Sequence, residues 1–183
     1  MIIGIIGLEG TGKTLLGVIL STVLKKTTNY KVMTNVKSYK YNDYDFESDF
    51  IMLIEKTKLE RYKKPERILV FIDEIVQYLD SRESMKPINK KLTRRLMQIR
   101  KYGFDMIYTA QLLMSADIRL RRMTDTFIVP DYDEHTYRLE WTQTDMLMNS
   151  VTKKSIIINP DIYKLYNTFE DIDSNLNIPA NRF

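Results

Sequence analysis

Short, continuous apolar runs alternate along the chain with stretches whose apolar positions recur at helical spacing. Five runs read as strands: residues 2–6 (IIGII), 30–36 (YKVMTNV), 67–72 (RILVFI), 104–110 (FDMIYTA) and 126–130 (TFIVP). Such alternation predicts an α/β fold, a mainly parallel sheet flanked by helices. Because ILVFI has no polar position, it reads as a central strand buried on both faces. A first helix is predicted from Lys13 to Lys26. Its Leu15, Leu16, Val18, Ile19, Leu20, Val23 and Leu24 surround the axis, so burial nearly all round is expected. A further helix is predicted from Pro87 to Lys101. Ile88, Leu92, Leu96 and Ile99 form one stripe and Lys90, Arg94 and Lys101 face the other way, with Pro87 suited to its start and Gly103 to its stop. The charge-dense segment 56–67 reads as a solvated helix end and loop. Residues 136–144 and 154–159 read as antiparallel strands added at the sheet edge. One domain is therefore expected over 1–183, with a core at 1–130 and edge strands and a helix at 131–183.

With 183 residues and 44% hydrophobic content, the chain can bury a core of its own. It contains no cysteine, which excludes disulfides, iron–sulfur clusters and thiol nucleophiles and fits a reducing compartment. Its single histidine, His135, argues against a histidine-based metal site and reads as a surface residue. Apolar runs such as 68–72 are too short to span a bilayer. The start on MIIGII, with no charged leader, gives the expectation of no signal peptide and a cytoplasmic protein. A net charge of +4 is that of an ordinary soluble surface, so what matters is where the charges lie.

The chemistry begins where the first strand meets the first helix. Gly7, Leu8, Glu9, Gly10, Thr11, Gly12, Lys13 and Thr14 read G-x-x-x-x-G-K-T, followed by Leu15 inside the helix. Glycines there allow backbone N–H groups to turn around a phosphate at the helix N-terminus. Lys13 would set its charge against the β- and γ-phosphates, and the Thr14 hydroxyl would bind Mg²⁺. The run ILVFI then ends in Asp73 and Glu74. Asp73 is suited to the metal and Glu74 to activating a water that attacks the γ-phosphate. The strand YTA ends in Gln111, an amide placed where it could sense the γ-phosphate or the water. Together these residues point to hydrolysis of ATP or GTP, with no base-specifying motif to choose between them.

Tyr30, Tyr39, Tyr41 and Tyr44, interleaved with Lys31, Lys37 and Lys40, could stack single-stranded bases, but packing of a surface loop is the favoured reading. Trp141 reads as packing for the edge strands. The basic face carried by Lys90, Arg94 and Lys101 reads either as solvated or as a contact for a phosphate backbone or a neighbouring subunit.

The ordered combination of the IDE at Asp73-Glu74 with RKYGFDMIYTAQ resembles the FtsK–HerA superfamily of P-loop ATPases, which includes DNA translocases and viral genome-packaging ATPases. It is closer still to the zonular occludens toxin-like assembly ATPases of filamentous phages. Thr34-Asn35, Asp80-Ser81-Arg82, the series Arg100, Gly103 and Asp105, and Asp117-Ile118-Arg119 match that group's pattern. The resemblance covers roughly 1–130, and KLYNTFEDI at 164–172 is similar to the group's C-terminal end. It implies a P-loop NTPase sheet of order 5-1-4-3-2, with Asp73 and Glu74 on a strand not adjacent to the loop strand. It further implies Mg²⁺-dependent ATP hydrolysis driving translocation of double-stranded DNA, as in viral genome packaging. The working form would be a homo-oligomeric ring, with capsid or coat proteins as further partners. Within it, Arg100 is the first candidate for an arginine finger acting on the neighbouring subunit's γ-phosphate, with Arg119, Arg121 and Arg122 as competitors. The other reading of Arg100 is that it complements the dipole of its own helix end. Phage assembly ATPases usually continue into a membrane-spanning segment, which this sequence lacks, and that favours a soluble motor. An assembly or export ATPase and a non-hydrolysing ATP-dependent switch remain as alternatives. A small-molecule kinase is disfavoured by Glu74 and Gln111.

Overall fold

A computed structural model describes residues 1–59, 66–79, 94–96, 98–145 and 151–167. Five of its strands match the apolar runs: β1 (Ile2–Ile6), β2 (Lys31–Thr34), β4 (Ile68–Ile72), β5 (Phe104–Ala110) and β6 (Thr126–Asp133). A two-residue strand, β3 (Tyr44–Asp45), adds a parallel neighbour to β2. The hairpin strands β7 (Arg138–Asp145) and β8 (Val151–Ile157) continue antiparallel from β6. The full order is β3-β2-β4-β5-β1-β6-β7-β8. Counting only the five predicted parallel strands, this is the expected 5-1-4-3-2. In particular β5 lies between β4 and β1, in register with both (Ile72 opposite Tyr108, Ile6 opposite Ala110).

Period-2 alternation divides the core between the two faces of the sheet. From β4, Ile68, Val70 and Ile72 enter a cluster with Phe46, Phe50 and Ile54 of α2 (Phe46–Leu59), while Leu69 and Phe71 enter the opposite cluster with Leu15, Leu16 and Val18 of α1 (Lys13–Thr27). All five β4 residues are buried, as a strand covered on both faces should be. Gly17 is the reason α1 sits so close to the sheet. A Cβ there would lie 2.4 Å from the Phe71 ring.

The all-round burial expected for α1 is not what is found. Val23 is 50% exposed, and Ile19, Leu20 and Leu24 are only half-buried. The sheet covers one flank and the 3₁₀ turn Pro160–Leu165 shields another with Ile162 and Leu165, leaving a strip to solvent. The second predicted helix is described only in part. Residues 94–96 are helical, and Ile99–Tyr102 forms a 3₁₀ turn that ends at Gly103 with φ 77°. Pro87, Ile88, Lys90 and Leu92 lie outside the described residues, as do Asp80, Ser81 and Arg82. A short helix, α3 (Ile118–Met123), is capped by Asp117, which accepts from the Arg119 N–H. Among the described residues no helix is long and apolar enough to cross a membrane.

The tyrosine-rich segment after β2 is packing, as favoured. Tyr39 is 2% exposed and its hydroxyl meets that of Thr22 at 2.9 Å, while Tyr30 is buried under the Arg67 guanidinium. Trp141 packs against the cluster on the α1 side.

Candidate nucleotide site

Parallel strands direct their C-terminal ends to one edge of the sheet, and the site is built there from the loops that follow β1, β4 and β5. The loop Gly7–Thr14 leaves β1 with the Gly7 N–H still bonded to the Ala110 carbonyl at 3.2 Å. It turns through Gly10 and Gly12, both at positive φ (79° and 84°), which L side chains adopt only at a cost. Gly12 also has no room for a side chain, because a Cβ would meet that of Tyr132 at 2.8 Å. Leu8 and Glu9 are exposed at the loop tip, and the Thr11 hydroxyl donates to the Leu8 carbonyl at 2.8 Å. Lys13 is 6% exposed, its Nζ donating to the Leu8 carbonyl at 2.9 Å and lying 3.9 Å from Glu74 Oε1. Leu15 anchors the helix in the core.

Asp73 follows β4 and is 5% exposed. Its Oδ2 accepts from the Thr14 hydroxyl at 2.8 Å and its Oδ1 from the Thr109 hydroxyl at 2.6 Å. Burial pushes its pKa above the ordinary carboxylate value, against the pull of those hydroxyls and of Lys13. Glu74 is raised as well, mainly by burial, with Asp73 and Glu9 adding to the rise and Lys13 and the Gln111 amide opposing it. The Glu74 backbone is left-handed (φ 50°, ψ 60°), a sparsely populated conformation for this residue. Its N–H is held by the Thr109 oxygen at 2.8 Å.

Two residues to which the sequence assigned no role set this geometry. Thr109, inside β5, bridges the Asp73 carboxylate and the Glu74 N–H. Asn35, at the end of β2 and 2% exposed, accepts from the Asp73 N–H and donates to the Asp73 carbonyl, both at 2.8 Å. Its amide also lies 3.4 Å from the Tyr78 hydroxyl, which donates to Glu47 at 3.0 Å. In the sequence Asn35 stood only in the Thr34-Asn35 match and Thr109 only inside the run FDMIYTA, neither with a role attached.

A cleft of about 760 Å³ opens over this machinery. Its floor is Gly10, Gly12, Lys13, Thr14, Asp73 and Glu74, and its far wall is aromatic. Tyr132 comes from the end of β6, His135 and Tyr137 from the β6–β7 turn, and Tyr163 and Tyr166 from the C-terminal segment. His135, expected to be a surface residue, is exposed but lines this wall.

Gln111, one residue beyond β5, is brought to Glu74, and the loop, Asp73, Glu74 and Gln111 share one edge. Arg100 is not part of that group. It lies at the other end of the strands, where its guanidinium reaches the Met123 carbonyl at 3.0 Å and Asp125 at 2.5 Å, and Asp125 in turn accepts from the Ile2 N–H at 2.7 Å. Arg119 pairs with the buried Asp117 at 2.6 Å, Arg121 donates to the Ala116 carbonyl at 3.1 Å, and Arg122 is exposed.

The metal position was tested on its donors. Thr14 and Asp73 offer a hydroxyl and a carboxylate in contact, hard oxygen ligands of the kind Mg²⁺ takes together with phosphates and water. The buried Asp73 charge has only a partial counterweight in Lys13. Both features fit a bound divalent cation.

No family model matches the sequence, and no curated protein does. Solved structures do. The N-terminal domain of zonular occludens toxin from Neisseria meningitidis superposes with a TM-score of 0.61 at 21% identity, covering 90% of this chain and 97% of that one. The genome packaging NTPase B204 from Sulfolobus turreted icosahedral virus 2, in complex with ATP-gammaS, gives 0.60 at 14% identity over 86% and 97%. The DNA-packaging ATPase B204 of Sulfolobus turreted icosahedral virus gives 0.57 at 15% identity over 86% and 98%. At such identities the likeness is one of fold. The chain is thus an α/β protein with a mainly parallel sheet, similar in fold to the zonular occludens toxin domain and to the packaging NTPase B204.

Proposed function

We propose that the chain is a Mg²⁺-dependent ATPase whose hydrolysis drives the movement of double-stranded DNA, as a viral genome-packaging motor in a homo-oligomeric ring. One observation carries the hydrolytic part: Glu74 stands 3.9 Å from the loop lysine, bonded by Gln111, just past the end of β4, which β5 separates from the loop strand β1. A carboxylate there would orient a water toward a phosphate held by the loop, and its raised pKa makes it a better proton acceptor.

In this reading Lys13 leaves the Leu8 carbonyl to bind the β- and γ-phosphates, and the N–H groups of Gly10 to Thr14 hold the β-phosphate. Thr14 and Asp73 would hold Mg²⁺, which when bound neutralises charge on the phosphate oxygens. Glu74 orients the attacking water and takes its proton. Gln111, tied to Glu74, reports whether a γ-phosphate is present. Arg100 would act as a trans finger only if it gave up Asp125, and Arg119 only if it gave up Asp117, so the exposed Arg122 is the more available candidate.

The DNA step is supported by the packaging NTPases among the fold neighbours and by the exposed Arg94 and Lys101. Such contact would be with the phosphate backbone and sensitive to salt. The test is ATP turnover by wild type and Glu74→Gln, with and without double-stranded DNA, across a salt series. Stimulation by DNA that fades with salt and disappears in the variant supports the motor. Turnover indifferent to DNA at every salt transfers the reading to a virion assembly ATPase, and ATP binding without turnover in any condition to a switch.

A further inference from the structure

The aromatic wall of the cleft is built with more constraint than a surface turn needs. Tyr132 lies directly over Gly12 and its hydroxyl is bonded to that of Tyr163, so β6 and the C-terminal segment are joined above the phosphate loop. Below them Tyr166 is 7% exposed. The turn that follows β6 is held by Asp133, which accepts from the His135 N–H at 2.9 Å and from the Thr136 hydroxyl at 2.7 Å. Tyr137 then takes a left-handed backbone (φ 53°), unusual for an aromatic residue, and its carbonyl accepts from the Ile158 N–H at 2.7 Å. That geometry leaves the Tyr137 side chain 43% exposed at the cleft. Backbone strain of this kind persists only where its surroundings impose it, and it concentrates at ligand clamps.

We infer that Tyr137 and Tyr163 form a stacking clamp for the base of a purine nucleoside triphosphate, one that grips the ring face without reading its edge. This rests on the nucleotide-binding reading above. Sharp discrimination between bases needs buried polar groups that a wrong base would leave unpaired. The polar side chains at this end of the cleft, Glu134, His135 and Asn167, belong to exposed residues, where water competes for any edge of the base. Among the described residues, no buried side-chain atom lacking a partner lines the cleft. Aromatic stacking tolerates any base with a broad π-face, so adenine and guanine are both accepted.

The test is calorimetric titration, with Mg²⁺ present, of ATP, GTP and inorganic tripolyphosphate into wild type, Tyr137→Ala and Tyr137→Phe. The expected result is that ATP and GTP bind wild type within about a hundredfold of each other, the range an edge-blind pocket allows. Tyr137→Ala should weaken both by roughly 5- to 150-fold, the value of one stacked base, while Tyr137→Phe retains them. Tripolyphosphate, which has no base, should bind all three proteins alike, and its binding also certifies that the variants are folded. ATP affinity unchanged in Tyr137→Ala, or a preference for one purine beyond a hundredfold, overturns the clamp and leaves the phosphate site standing. Failure of wild type to bind either ATP or tripolyphosphate overturns both readings together.

Discussion

The side-chain amide of Asn35 pairs with the main chain of Asp73 through two hydrogen bonds of 2.8 Å, continuing the β2–β4 ladder one step past its last backbone pair, Thr34 with Phe71. The acidic residue suited to the metal is thereby fixed by a residue from the neighbouring strand. Replacing Asn35 by Ala leaves the Asp73 N–H and carbonyl buried without partners. Each such group costs about 1–3 kcal/mol. Urea unfolding of Asn35→Ala should show a loss in that range or above it, whereas a change below about 0.5 kcal/mol would mean that water replaces the amide at no cost.

Thr109 acts on both acids at once, donating to Asp73 and accepting from Glu74. Thr109→Val keeps the shape and removes the hydroxyl, freeing the left-handed Glu74 to relax. The expected result is a fall in kcat on the order of 10²-fold, the scale of small misplacements of a catalytic group. Nucleotide affinity, which the proposed site assigns to the loop and the aromatic wall, should stay within a few-fold. Equal losses in affinity and turnover would place Thr109 in binding instead.

Asp73 gives a prediction in pH. Burial raises its pKa, so the folded chain holds this proton more tightly than the unfolded chain does. The resulting stabilisation is complete below the unfolded pKa, about 3.9, and is lost as pH rises through the higher folded value. At neutral pH the buried charge is a net cost in the protein without nucleotide or metal. Asp73→Asn should therefore melt higher than wild type at neutral pH, and the gap should close as pH falls toward about 4. A difference in Tm that is flat across this range would show that the hydroxyls and Lys13 fully compensate the charge.

Gly17 pits helix propensity against packing. Alanine in a helix interior gains about 1 kcal/mol over glycine. Here the added methyl would meet Phe71, whose ring is fully buried and has nowhere to withdraw, and overpacking of this kind costs about 1–3 kcal/mol. Gly17→Ala should be destabilised in thermal unfolding, and Phe71→Leu in the same chain should restore part of the loss. A stabilised single variant would mean that α1 can rise off the sheet.

The parallel core was legible because its strands are unbroken apolar runs, a signal that survives without any knowledge of neighbours. Two residues of β3 carry no such signal. They are a strand only because Met33 and Thr34 lie opposite them. The same contrast holds within the site. The phosphate loop, Asp73 and Glu74 are contiguous in sequence, so local pattern exposed them. Asn35 and Thr109 matter through side-chain bonds to residues 38 and 35 or 36 positions away, and neither the Thr34-Asn35 match nor a Thr inside a strand says what its side chain reaches. The Tyr132–Tyr163 pair joins elements 31 positions apart, so no local reading could assemble the aromatic wall. Arg100 was the first finger candidate through the resemblance that its series with Gly103 and Asp105 carries, and its engagement with Asp125 depends on a residue 25 positions later.

The sheet order has a consequence for synthesis. β1 is made before every other strand of this sheet, yet its two neighbours are β5 and β6, with Ile2 opposite Met106 and Ile3 opposite Thr126. Loops of that length close slowly, since their entropy is lost before the contacts repay it. Until β5 and β6 have been made, IIGII is an apolar strand with both edges open, which is the state that associates with other chains or with chaperones. The loop Gly7–Thr14 that follows β1 therefore has no sheet to hold it in place until residues about 120 positions later have been added.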